Sequence, residues 1–210
     1  MIKRLLTFVL AVSVCGALPA LAQTSVAVSA LGSFPSSTSS NNGINGTQTG
    51  SNQAGYMVEL RHISNPLVGY DVSYSYHRAN QNYVGPFLAC PTNPAVSCGT
   101  QIEPVHANAH TLTLNYVVSV PILAFRVFAL GGGGIQHFSP TDNPNVSTQS
   151  QTKGVFDYGA GLDWTVLPHL GLRFQYRGYV YKAPQLETAF SSPNKFIQSA
   201  EPMIGAYFNF

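Results

Sequence analysis

Two histidine–serine pairs, one pair of cysteines and a run of four glycines are the residues of this chain whose types and spacing could do chemistry. His137-Phe138-Ser139 and His62-Ile63-Ser64 each hold a base two residues from a hydroxyl. On an extended strand that spacing puts both side chains on one face. A hydrolytic triad also needs a third group to hold its base. Beyond residue 22 the glutamates are only Glu59, Glu103, Glu187 and Glu201, and none is placed to orient His137. Gly131–Gly134 has no Lys-Ser/Thr after it and no following helix pattern, so it is no phosphate-binding loop; room within a strand explains it better. Cys90 and Cys98 are separated by seven residues, in a stretch rich in proline. That is no zinc-finger spacing, although His77, His106 and His110 flank it, and in an oxidising compartment it reads as a disulfide. No catalytic residue, metal site or cofactor is expected.

The remaining polar chemistry lies in segments that alternate by residue. Period-two alternation marks eight strands, at about 24–34, 53–63, 68–78, 108–120, 122–137, 154–167, 169–182 and 198–210. In the sixth, Phe156, Tyr158, Ala160, Leu162, Trp164 and Val166 share one face and Asp157, Gly159, Gly161, Asp163 and Thr165 the other. In the seventh, Leu170, Leu172, Phe174 and Tyr176 oppose Gly171, Arg173, Gln175, Arg177 and Tyr179. Mid-strand charges fall on the polar face throughout. Short turns are expected at Asn65-Pro66, Pro121 and Pro168-His169, and long polar connections at 35–52, 79–107, 138–153 and 183–197. Apolar-out alternation, with short turns at one end and long loops at the other, predicts an all-β, eight-stranded, antiparallel, up-and-down transmembrane barrel. A secreted β-sandwich also alternates, but it gives no reason for every mid-strand charge to share a face.

The N-terminus fits export. Lys3 and Arg4 precede an apolar stretch from Leu5 to Val14, and Ala20-Leu21-Ala22 offers small residues for cleavage before Gln23. The expected organisation is a signal peptide at 1–22 and a barrel with four long extracellular loops at 23–210. Removal of Lys3 and Arg4 leaves eight basic and eight acidic side chains. A neutral chain with only 9% charged residues offers no concentrated basic surface for nucleic acid.

The last strand ends Gly205-Ala206-Tyr207-Phe208-Asn209-Phe210. Its Gly205, Phe208 and Phe210 resemble the C-terminal assembly signature of bacterial outer-membrane proteins, with Met203 where that signature usually has a polar residue. The mature chain resembles, nearly end to end, the small eight-stranded OmpA/OmpX-type outer-membrane barrels. That resemblance implies residence in the bacterial outer membrane, contact with its lipid and insertion by the barrel assembly machinery. Lipid A deacylases and palmitoyl transferases share this barrel size. His137-Phe138-Ser139 resembles the deacylase His-x-Ser, but strand six lacks the acid that family places there.

Eight strands leave a lumen that side chains can fill. The inward residues Glu59, Arg61, Asp71, Arg126, Asp157, Asp163, Arg173, Arg177 and Glu201 are therefore expected to form one charge network. Within it Asp163 should face Arg173 across the sixth turn, Asp157 should reach Arg177 diagonally, and Arg61 should face Asp71. A non-enzymatic structural or surface-interaction protein is the leading reading, acting through an unidentified partner at its outer loops. A small porin-like diffusion channel is the alternative, and a lipid A-modifying enzyme a distant third. Non-reducing peptide mapping of the mature protein is expected to find Cys90 joined to Cys98; free thiols in protein taken from an oxidising envelope would refute the bond.

Overall fold

Alternation of this kind yields strands only if each finds two neighbours, and in this chain all eight do. The computed structural model describes residues 23–40, 46–65, 67–85, 101–141, 148–186 and 195–210; the expected signal peptide at 1–22 and the expected Cys90–Cys98 disulfide lie outside them. Twelve strands follow in order: β1 (Gln23–Pro35), β2 (Thr38–Ser40), β3 (Gly46–Gly50), β4 (Gln53–Ile63), β5 (Val68–Arg78), β6 (Gln81–Gly85), β7 (Gln101–Val105), β8 (Ala107–Ile122), β9 (Phe125–Pro140), β10 (Gln151–Leu167), β11 (Leu170–Lys182) and β12 (Phe196–Asn209). Eight of them close in the order β1-β12-β11-β10-β9-β8-β5-β4, antiparallel throughout. The seam is β1, whose Val28 pairs with Ala206 on one side and Val58 on the other.

The pleat sends alternate residues to opposite surfaces. On β5 the outward Tyr70, Val72 and Tyr74 are exposed, whereas Asp71, Ser73 and Ser75 are buried. An aromatic collar rings the outside near the short turns. Tyr70 pairs with Tyr116 there and Phe125 with Trp164, while Phe208 and Phe210 meet edge to face. Tyr56 packs at a tilt against Tyr76 towards the opposite end, 5.6 Å between ring centres. Such bands flank the apolar belt of a membrane barrel.

The turn between β8 and β9 lies two residues beyond Pro121. Pro121 is still paired, with Arg126, and the reversal is made by Leu123-Ala124 between the paired Ile122 and Phe125. Proline lacks a backbone donor but is tolerated near a strand end. A tight hairpin turn instead needs a positive φ matched to strand twist, and Leu123 supplies it at 56°. The long connections also hold more structure than their composition suggests. Strands β2, β3, β6 and β7 form a second sheet in that order, so the first two long connections are joined through β3 and β6.

Leu123 is fully exposed and adopts a conformation costing a non-glycine residue about 1–2 kcal/mol. Allowing for the chain entropy of glycine, Leu123→Gly is expected to stabilise the barrel by up to about 1 kcal/mol, read as a higher urea midpoint. A lower midpoint would contradict the assigned turn.

Candidate functional site

The charges of the lumen converge on Glu59 of β4. Arg61 lies 2.8 Å from its Oε1 and Arg177 lies 2.5 Å from its Oε2, and Arg173 reaches Oε1 from the facing wall. The Gln175 amide donates to Oε2 at 3.3 Å. Each arginine then holds a second carboxylate. Arg173 donates through Nε and Nη2 to the two oxygens of Asp163 at 2.7 and 2.8 Å. Arg177 donates to Asp157 at 2.8 Å and to the Ser73 hydroxyl at 2.9 Å. Arg61 lies 3.4 Å from Asp71. Asn115 of β8 ties Asp71 to Asp157, donating to them at 3.0 and 2.7 Å.

All seven ionisable groups are at most 5% exposed. Asp163 pairs with Arg173 and Arg61 with Asp71 in register, and Arg177 lies diagonally from Asp157. Two expected members stand outside the network. Glu201 is the direct partner of Arg177 in the register, but Arg177 is committed to Glu59 and Asp157; Glu201 instead faces His77, 3.8 Å away. Arg126 is the partner of Asp163, whose oxygens Arg173 already occupies. It lies at the short-turn mouth and makes no ion pair among the described residues.

Glycine makes room for this packing. A Cβ on Gly161 would lie 2.4 Å from the Phe128 ring and 2.6 Å from the Phe174 carbonyl. Phe128 in turn seats the Arg61 guanidinium 3.9 Å above its ring centre. The cation–π contact on the face of the guanidinium adds to the ion pairs Arg61 makes at its edge. Sequence reasoning missed the layer above the charges. Leu31, Met57, Phe138, Val155, Tyr181, Leu186, Ile197 and Met203 form one buried apolar cluster towards the long loops. Its signal was present, since inward positions turn apolar in the upper third of several strands. Tyr83 of β6 closes over it, donating its hydroxyl to the Pro184 carbonyl at 3.0 Å and accepting the Leu186 amide at 3.1 Å.

The other candidate chemistry stays apart. His137 faces outward, with Nδ1 2.9 Å from the Thr152 hydroxyl, and His62 makes a similar contact with Thr24 at 2.9 Å. No carboxylate bonds to either among the described residues. Those residues also hold no cluster of three or more metal-ligating side chains.

The model of the outer membrane protein beta-barrel domain matches residues 8–195. The chain belongs to that family. It is therefore a bacterial outer-membrane barrel. Solved structures agree on the fold. OprG of Pseudomonas aeruginosa superposes with a TM-score of 0.60 at 12% identity, over 91% of this chain and 97% of that one. Neisserial surface protein A gives 0.55 at 13% identity, over 88% and 97%. The attachment invasion locus protein of Yersinia pestis, solved with the heparin analogue sucrose octasulfate, gives 0.52 at 14% identity, over 90% and 99%. No curated protein matches the chain by sequence.

Arg173→Ala strips Asp163 of its two-pronged partner and takes one of three arginines from Glu59, and is expected to cost about 3–5 kcal/mol where water does not reach the network. Arg126→Ala, outside the network, should change stability by less than about 0.5 kcal/mol. Equal urea midpoints for the two variants would refute this division.

Proposed function

We propose that this outer-membrane barrel is a non-enzymatic scaffold that carries its specificity at the long-loop end, with those loops facing outside the cell and the short turns in the periplasm. The observation that carries this reading is a lumen filled from wall to wall: three arginines and four carboxylates in its middle beneath the apolar cap. Eight strands leave little space once such side chains point inward. In this reading Gly205, Phe208 and Phe210 address the chain to the assembly machinery, the outer belt meets lipid, and the linked sheet of β2, β3, β6 and β7 offers the contact surface to a partner. The diffusion-channel alternative would need the charged layer and the cap to part together. Catalysis is disfavoured because His137 is bonded to a hydroxyl rather than an acid.

In planar bilayers the folded protein is expected to show no steady, large conductance, only rare small openings. A stable, reproducible pore in wild-type protein would overturn the sealed-scaffold reading and favour the channel.

A further inference from the structure

Below the charge network the lumen opens at the short-turn end into a cavity of about 100 Å³, continuous with solvent. Its wall carries three arginines, Arg61, Arg126 and Arg173, against one carboxylate, Asp163. The imbalance is local. Glu59, Asp71 and Asp157, which neutralise the network, do not line this space. Concave walls of low dielectric focus such a field into the opening.

Two of the three arginines retain unused donor capacity. Arg61 is 2% exposed, and its Nε and Nη1 have no hydrogen-bond partner; Nη1 lies 3.6 Å from Asp163 Oδ2, beyond bonding distance. A buried guanidinium N–H without an acceptor is costly. Arg126 is half-buried and lacks an ion pair among the described residues, since Asp163 is held by Arg173 through both oxygens. The hydroxyls of Thr165 and Tyr207, 3.0 Å apart, complete a polar rim.

The geometry points to a binding site for a small oxyanion, a phosphate or a carboxylate, held between Arg126 and the open edge of Arg61. On the orientation proposed above, it is entered from the periplasm. Guanidinium groups bind such oxygens by charge-assisted hydrogen bonds, in two-pronged fashion where geometry permits. The donors it uses are those the network leaves over, Arg126 at the mouth and the buried edge of Arg61 behind it.

The test uses the folded full-length mature barrel in a zwitterionic detergent at constant ionic strength, titrated with inorganic phosphate in one arm and acetate in another, with chloride as the balancing salt. Binding is followed by calorimetry and by line broadening of the phosphate ³¹P resonance. Wild type is expected to saturate with at least one of the two anions, and the arm that saturates identifies the chemistry. Arg126→Gln should weaken that binding by about tenfold or more. Leu123→Glu places a competing carboxylate on the rim from a fully exposed position and should weaken it too, so the site is testable even if one variant fails to insert. Absence of saturable binding in both arms, or unchanged affinity in both folded variants, would overturn the assignment. Conductance plays no part in this readout, so it can fail while the sealed scaffold stands.

Discussion

In hydrocarbon a backbone amide without a partner has no water to turn to, and each such group costs several kcal/mol. Closure through β1 answers that constraint, because Ser25 meets Asn209 on one flank and Arg61 on the other, leaving the barrel no free edge. Once the sheet is closed, the pleat dictates the rest. One set of side chains must suit lipid, and the other must fill a space fixed by the strand count. The division between Val72 outside and Asp71 inside is a consequence of pairing before it is a matter of function.

Filling a narrow tube with charge is feasible only when the charges satisfy one another. Glu59 does most of this, paired with Arg61 and accepting from Arg173, Arg177 and Gln175. These partners come from two regions of the wall, β4 itself and β11, so the contacts brace the barrel across its width. Small residues are the counterpart of this bulk. Gly161 stands where Phe128 needs space, and Phe128 carries Arg61. Large and small thus alternate around the lumen for a steric reason.

Strand positions were legible in the sequence because period two is imposed by the membrane on every spanning segment. Boundaries near 108–120 fall close to those of β8, and those near 154–167 close to β10. Pairings near a turn were legible only in part: a shared inner face brings Asp163 near Arg173, but their direct pairing depends on a register shift between Thr165 and Leu167, since the Leu167–Leu170 pair at the turn would by itself set Phe174 opposite Asp163. Pairings across the lumen were not, because nothing local says that Glu59 meets Arg177. Arg126 and Glu201 were misplaced for a related reason. Facing inward puts a charge in the tube, but whether it joins a network depends on which partners are already taken. The sheet of β2, β3, β6 and β7 was hidden by its composition: Gly46-Thr47-Gln48-Thr49-Gly50 has no apolar alternation to betray a strand. The disulfide assigned to Cys90 and Cys98 falls outside the described residues.

That second sheet ties two surface connections into one piece. Gln48 of β3 is buried and donates to the Pro184 carbonyl at 2.9 Å, while its neighbour Gln81 comes from β6. A one-residue insertion in β3 would exchange its faces, swinging Gln48 outward and leaving that carbonyl without its donor. Sequence drift on this half of the rim is therefore constrained in length: substitutions on the outer face are cheap, whereas gains or losses within β3 or β6 must be matched by a compensating change in the other. Two loops that look independent in the chain would evolve as a single unit.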